Sequence, residues 1–197
     1  MVAEADFFVD KPGLSTIFCV EQQVIRLSKM SESSETPLPS LLVLLADWAP
    51  LSVDTVNAAL ADAFGPSPDP DSQFALPVVE SVQFMVKARG SMLIVHNNPG
   101  SYFEDADAVA NAIQGDDLFA SAVRAHSGWM STDIISSDDG YQEQYDTIGK
   151  LLAELAPNGG KAVALFVPDR GVLIRFDENR RMQLRGPNTL VSLGFDV

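Results

Sequence analysis

The stretch from Leu41 to Ile135 constrains the fold of this chain most, because strand-like and helix-like patterns alternate along it in a specific order. Leu41–Ala46 (LLVLLA) is a continuous apolar run, which is typical of a strand covered on both faces. A segment with apolar residues at helical spacing follows, and Ser52 can cap its first turn. Two strand-like runs around the short turn Arg89–Gly90, a second helical segment and a final alternating strand complete the order.

The order strand, helix, strand, strand, helix, strand is that of the split βαβ, or ferredoxin-like, fold. In a ferredoxin-like sheet the four strands lie in the order fourth, first, third, second, with antiparallel neighbours. We therefore predict an α+β domain whose two helices pack on one face of the sheet. The predicted strands cover residues 41–46, 81–88, 91–96 and 128–135, and the predicted helices cover 52–64 and 105–125.

Further elements are predicted after this ferredoxin-like core. The clearest amphipathic helix begins near Tyr141, after a cap at Asp138 or Asp139, and ends at Pro157–Gly160. Two apolar runs around the turn Asp169–Gly171 predict a C-terminal β-hairpin. The chain is thus predicted to have an N-terminal extension and linker (1–40), a single α+β domain (41–176) and a C-terminal tail (177–197).

Two segments of this scheme are less regular. Residues 14–30 fit either a helix or a strand, because their apolar residues recur at near-helical spacing but include a β-like run. Residues 66–77 carry four prolines and are predicted to be a loop. The tail is predicted to hold a short helix near residues 178–184 and to be weakly structured beyond it.

The charge of the chain excludes some partners. The formal net charge is −14 over 197 residues, and residues 97–146 carry ten acidic side chains and one basic one. A nucleic-acid partner needs a basic face, so we expect a protein partner, of unknown identity, and no nucleic acid. No apolar stretch reaches the length of a membrane span, and the N-terminus lacks an export signal. We expect a cytoplasmic protein that does not bind membranes; its oligomeric state is left open.

The candidate catalytic residues lie where two predicted strands meet. The ferredoxin-like order brings the end of the first strand, at Asp47 and Trp48, beside the start of the fourth, at His126, Ser127 and Trp129. Histidine beside a carboxylate can act as a general base, and Ser127 could then be a nucleophile. The alternative is that the histidine ends a helix while both tryptophans fill the core.

The candidate binding residues are His96, Asn97 and Asn98, together with Trp48 and Trp129. The first three begin a turn, and loops often carry binding residues, although turn formation alone explains them. The predicted topology places the two histidines of the chain at opposite rims of the sheet, too far apart to share a metal. With Cys19 as its one cysteine, the chain is expected to bind no metal and no cofactor.

Several stretches resemble an uncharacterised bacterial domain family of unknown function. They are LLVLLADWAPLSVDTVNAALADAFG, VQFMVKARGSMLIVHN, AHSGWMSTDI and the pair IGKLLAELA and KAVALFVP, within about residues 41–167. The resemblance implies a compact bacterial α+β domain with no assigned activity, and it transfers no catalytic residue.

These observations favour a non-enzymatic protein-interaction or accessory module, for example one of the immunity type. An acidic surface or a sheet edge would then bind the partner. The alternative is a small hydrolase or transferase with a site centred on His126. A deep pocket beside that histidine would favour the enzyme, whereas a flat apolar patch or an unprotected strand would favour the interaction module.

Overall fold

The computed structural model of this chain describes residues 24–26 and 38–196, which form an α+β fold. Most of the predicted N-terminal extension, including Cys19, lies outside the described residues. The strands are β1 (Val24–Arg26), β2 (Ser40–Trp48), β3 (Phe74–Val79), β4 (Gln83–Ala88), β5 (Ser91–Pro99), β6 (Gly128–Ser136), β7 (Gly160–Val167) and β8 (Val172–Arg175). The helices are α1 (Val53–Phe64), α2 (Ala106–Ala112), α3 (Asp117–Arg124), α4 (Tyr141–Gly159), α5 (Glu178–Arg185) and α6 (Thr189–Ser192).

Within the described residues the eight strands form one sheet in the order β1-β8-β7-β2-β6-β5-β4-β3. Every neighbouring pair is antiparallel, so the predicted α+β class is confirmed. The strand order differs from the ferredoxin-like one, which is therefore not confirmed. The difference is that β6 lies between β2 and β5, whereas the ferredoxin-like order would place β2 between β6 and β5.

Helices cover both faces of β2, and this corrects the prediction that 52–64 and 105–125 pack on one face. Alternate side chains of the strand, including Leu41 and Val43, belong to a core shared with α1 and α4. The side chains between them, Leu42 and Leu44, belong to a second core shared with α2 and α3. A strand that is apolar on both faces needs a helical layer on each side.

The local signals at helix ends are confirmed for α1 and corrected for α4. The Ser52 side chain accepts a hydrogen bond from the backbone N–H of Thr55, as expected of an N-cap. The N-cap of α4 is Gly140 and not Asp138 or Asp139, and no side chain caps this helix end. This helix also continues through Pro157 to Gly159.

The C-terminal region packs on the domain more closely than predicted. Strands β7 and β8 pair antiparallel, and α5 follows them. Beyond α5, the short α6 follows, and Leu190 and Leu193 are buried in the core that contains α4. Residues 189–193 therefore belong to the folded domain and are not a weakly structured tail.

The outer edge of the sheet at β3 is chemically protected. This strand begins within residues 66–77, which were predicted to be a loop. The backbone N–H of Ala75 donates to the Asn57 side chain of α1 at 2.9 Å. Backbone groups on an edge strand alternate between the neighbouring strand and the outside, so Pro77, which has no N–H, occupies the next outward position. None of the described helices combines the length and the apolar composition needed to cross a membrane.

Candidate functional site

The His126 ring joins the end of α3 to the loop that follows β5. Its Nε2 atom accepts a hydrogen bond from the backbone N–H of Tyr102 at 3.0 Å and lies 3.2 Å from the Ser101 hydroxyl. Its Nδ1 atom donates to the carbonyl oxygen of Val123. The side chain is 6% exposed. Both ring nitrogens therefore have structural partners, and neither Asp47 nor Ser127 is among the partners found in the described residues.

The other residues predicted around His126 bind backbone groups or pack in the core. The Ser127 hydroxyl donates to the carbonyl oxygen of Ala46 at 2.7 Å and accepts from the backbone N–H of Trp48 at 3.2 Å. This confirms that the end of β2 lies beside the start of β6. Asp47 is exposed, and Trp48 packs against the core that contains α4. The predicted cluster is thus divided between the two faces of the sheet.

Asn97 is a buried residue that links several loops, in contrast to the turn predicted for it. Its side-chain Nδ2 donates to the carbonyl oxygens of Ala49 and Ser81, and its backbone carbonyl oxygen accepts from the Trp48 indole N–H at 3.3 Å. Asn98 pairs with Trp129 inside the β5–β6 ladder. Because strand β5 continues to Pro99, these two asparagines belong to the sheet and not to a loop.

We expect His126→Ala to destabilise the protein by about 1–3 kcal/mol, because it leaves the Tyr102 N–H and the Val123 carbonyl without their partner. Urea unfolding measures the loss. His126→Asn is the control, since its amide nitrogen can replace Nδ1 as the donor to Val123 and should recover part of the stability. A stable His126→Ala protein that had lost a measurable hydrolytic or transferase activity would contradict this structural role.

His96 lies within the sheet, and this corrects its predicted place at the opposite rim. It pairs with Ser131, and the strand that carries it reaches Pro99, which pairs with Gly128 at the same end as His126. The imidazole ring lies 5.9 Å from the Trp129 ring, centroid to centroid. The two candidate binding residues His96 and Trp129 are therefore neighbours on one face of the sheet.

These two side chains line a cleft of about 420 Å³ on the face that α2 and α3 cover only in part. Strands β2, β5 and β6 form its floor, and the loop before α2 contributes Tyr102 to its wall. We refer to this space as the β5–β6 cleft. Its lining consists of Leu38, Ser40, Leu42, Ile94, His96, Tyr102, Trp129, Ser131, Asp133, Ile134 and Ile135.

Asp133 is the acidic residue of the β5–β6 cleft, and two serines fix its orientation. The Ser40 hydroxyl donates to Oδ1, and the Ser131 hydroxyl donates to Oδ2 at 2.6 Å. The Nε2 atom of His96 lies 4.0 Å from Oδ2, too far for a hydrogen bond but close enough for charge attraction when the ring is protonated. The cleft thus has a carboxylate held in one orientation, with part of its surface exposed.

Aromatic rings form the wall beside this carboxylate. Tyr102 and Trp129 meet edge to face at 5.3 Å, and Tyr102 also contacts Phe103 and Phe166. Burial and the negative charge of Asp133 raise the pKa of the Tyr102 hydroxyl. The tyrosine therefore stays neutral near neutral pH and serves the cleft as a hydrogen-bonding aromatic ring.

The cleft continues into an apolar surface formed by the outer strands. One row of cross-strand neighbours runs from Leu76 through Met85 and Ile94 to Asp133 and Ser40. Leu76 is 53% exposed and Met85 is 38% exposed. Ile94 both lines the cleft and pairs with Met85. We refer to Leu76, Met85 and Ile94 as the apolar face.

Many of the acidic residues in segment 97–146 have local structural roles. Asp105 and Asp116 cap the first turns of α2 and α3 by accepting backbone hydrogen bonds. The bond from the Phe119 N–H and the nearby Arg175 guanidinium hold the pKa of Asp116 below its usual range. Asp107 pairs with Arg124 at 2.6 Å. These carboxylates still give the helical layer beside the cleft a negative character.

The sequence contained a signal for the cleft that the search for catalytic residues missed. Trp129, Ser131 and Asp133 alternate along β6, so they point to one face of the sheet. What the sequence could not indicate is that Ser40 and Tyr102 complete this group. Among the described residues, no three His, Cys, Asp or Glu side chains form a group that could hold a metal ion.

No family model matches this chain, and no match was found among curated proteins or solved structures. The geometry of the described residues is therefore the basis for the functional proposals below.

Proposed function

We propose that this chain is a protein-interaction module that binds a protein partner on its apolar face. The observation that carries the proposal is the incomplete cover of one side of the sheet. Helices α2 and α3 pack over β2 and β7 on this side, while Leu76 and Met85 of the outer strands stay exposed. Apolar side chains grouped on neighbouring strands are typical of a surface that another protein covers.

The surroundings of the apolar face suit a protein partner. Lys87 lies over the Phe74 ring on the same side, and Ile135 is 45% exposed at the border with the β5–β6 cleft. An apolar centre with polar and charged groups around it is the usual composition of a protein interface. A partner that packs here removes these side chains from water, a gross gain of about 25 cal/mol per Å² of apolar surface, of which only the surplus over the cost of association appears as affinity.

The protected β3 edge of the sheet favours binding on the apolar face over the addition of a strand beside β3. A strand added beside β3 would need outward N–H groups, but that of Ala75 is bonded to Asn57 and Pro77 has none. Strand addition depends on such main-chain bonds for its affinity. We therefore expect a partner that binds through side chains, for example an amphipathic helix.

The alternative function, a hydrolase or transferase centred on His126, has less support. The ring nitrogens of this histidine are engaged by Val123 and Tyr102, and the ring is buried. A general base needs a nitrogen that can reach the substrate. The interaction module is thus the function that the geometry favours.

The test is a capture experiment with a matched pair of surface variants. Leu76→Arg places a charge in the apolar face, whereas Leu118→Arg changes an 80% exposed leucine on α3 and serves as the control. We expect wild type and Leu118→Arg to retain a common partner from the native host. Leu76→Arg should retain about tenfold less, because a charge buried at an interface costs more than about 1.4 kcal/mol.

Both variants should keep the thermal midpoint of the wild type, since each changes an exposed side chain. Equal retention of every bound protein by wild type and both variants would contradict the proposal. So would a partner that is lost from Leu118→Arg and kept by Leu76→Arg.

A further inference from the structure

We propose that the β5–β6 cleft receives an arginine side chain of the partner, with the Asp133 carboxylate as its counter-charge. This inference rests on the proposed function, because the arginine belongs to the protein that binds the apolar face. It goes further in naming a residue type on the partner and the residues of this chain that bind it.

The Asp133 carboxylate keeps acceptor capacity. Within the part of the chain that the structure describes, each of its oxygens accepts one hydrogen bond, from Ser40 or Ser131, and each can accept a second. Among the described residues, the group within ion-pair distance of this carboxylate is the His96 ring, at 4.0 Å, and it carries charge only when protonated. Two oxygens held in place with a free acceptor position each match the paired N–H groups of a guanidinium, which binds carboxylates through two parallel bonds.

Aromatic rings lie beside the carboxylate. The Trp129 ring centroid is 5.3 Å from that of Tyr102 and 5.9 Å from that of His96. A guanidinium is planar and stacks on aromatic rings, whereas a lysine ammonium is a compact and strongly hydrated charge. A site that combines a fixed carboxylate with a tryptophan face therefore favours arginine over lysine.

The size and position of the cleft also suit a long side chain. Its volume of about 420 Å³ lies within the range of roughly 300–1,000 Å³ that small-molecule sites occupy. The row from Met85 through Ile94 to Asp133 joins the cleft to the apolar face. A partner that packs on Met85 thus has its neighbouring side chains at the mouth of the cleft.

The long-range electrostatic field of the chain also favours a cation at the cleft. The chain carries a formal charge of −14, and segment 97–146, which includes Asp133, has one basic residue against ten acidic ones. Such a field attracts cationic groups and accelerates their encounter with the cleft. The same field opposes an anionic ligand beside Asp133.

The test uses Nα-acetyl-arginine amide as the probe and the two tryptophan indole N–H signals of the full chain as the NMR readout. Trp129 lines the cleft, whereas Trp48 packs in the core on the other face and acts as an internal control. We expect the Trp129 signal to shift with a dissociation constant in the millimolar range, as for a single side chain, while the Trp48 signal stays unchanged. The neutral citrulline analogue should leave both signals in place.

Asp133→Asn should weaken probe binding by roughly tenfold or more, because the charge-assisted bonds are lost. Asp54→Asn is the matched control, since it removes the same charge from an exposed position at the start of α1. It should bind the probe as wild type does. Absence of a Trp129 shift with the arginine probe, or equal affinity of Asp133→Asn and wild type, would overturn the inference.

A third ligand and a further variant separate the remaining explanations. Choline that binds through Asp133 more tightly than the arginine probe would overturn the assignment to an arginine and indicate a free organic cation. Leu76→Arg should still bind the probe although it loses the partner. If Leu76→Arg loses the partner but wild type ignores the probe, the proposed function stands and this inference fails. If Leu76→Arg keeps the partner, the proposed function fails, and with it the assignment of the arginine to that partner.

Discussion

Gly160→Ala is expected to destabilise the protein by more than about 3 kcal/mol, because the position has neither the space nor the backbone conformation for a side chain. A Cβ atom there would lie 1.6 Å from the carbonyl oxygen of Asp47. The residue has a φ of +131°, which side chains rarely tolerate, and such strain alone costs of order 1–3 kcal/mol.

The clash cannot be relieved by rotating a side chain, because the backbone of residue 160 fixes the Cβ atom and the atom that it meets is the backbone oxygen of Asp47. Gly160 pairs with Trp48, the residue after Asp47, at the point where β7 joins β2. The neighbouring Gly159 carbonyl accepts a hydrogen bond from the N–H of Ala49 at 2.8 Å. Moving either strand would therefore break the contact between α4 and the centre of the sheet.

Gly90→Ala is the control that measures the cost of a positive φ in the absence of a steric clash. Gly90 also has a positive φ, of +80°, but a Cβ atom there would meet nothing within 4 Å. We expect Gly90→Ala to cost about 1–2 kcal/mol from conformation alone. Unfolding in urea measures both values, and similar losses for the two variants would contradict the close approach at Gly160.

The existence of most elements could be predicted because it depends on local patterns. The cap at Ser52 and the apolar run of β2 are each set by neighbours in the sequence. Strand β3 was missed because its segment is rich in proline. A strand can contain Pro77 here because β3 lies at the edge of the sheet, where the missing N–H would point away from the neighbouring strand.

The arrangement of the strands could not be predicted in the same way. Whether β5 pairs with β2 or with β6 depends on contacts between distant residues, and the local alternation of β5 is compatible with either neighbour. The two apolar faces of Leu41–Ala46 did carry information on the layers, because they require helices on both sides. That requirement argues against placing both predicted helices on one face.

Only part of the candidate site could be predicted, because its residues come together through the same strand pairing. His96 and Trp129 were both candidate binding residues, but the strand order that brings them together with Asp133 was not available from the sequence. His126 was a candidate because a reactive side chain lies there beside a serine. In the structure its ring joins α3 to a loop through hydrogen bonds with Val123 and Tyr102. A reactive residue type gives no indication of its partners until the strand pairing is known.

The second large effect is expected at alkaline pH and concerns Tyr145. Its side chain is fully buried on α4, and burial followed by the negative charge of Asp169 raises the pKa of its hydroxyl well above the ordinary value of 10.0. In the unfolded chain the same hydroxyl loses its proton near pH 10. This contribution to stability is therefore fully present below pH 10 and is lost as the pH rises above it.

Tyr145 alone is expected to lower the free energy of unfolding by about 1.4 kcal/mol per pH unit above pH 10, because its hydroxyl then keeps its proton in the folded state and loses it in the unfolded state. Tyr102 and Tyr141, whose pKa values are also raised, add their own losses, so the difference between wild type and Tyr145→Phe isolates the contribution of Tyr145. Urea unfolding at about pH 8, 10 and 11 measures it. Tyr145→Phe is the control, since it keeps the ring that packs against Tyr141 and removes the hydroxyl, which has no hydrogen-bond partner among the described residues. The variant should be about as stable as wild type near pH 8 and should lose stability less steeply above pH 10. Identical pH profiles for the two proteins would mean that Tyr145 ionises in the folded state as easily as in the unfolded chain.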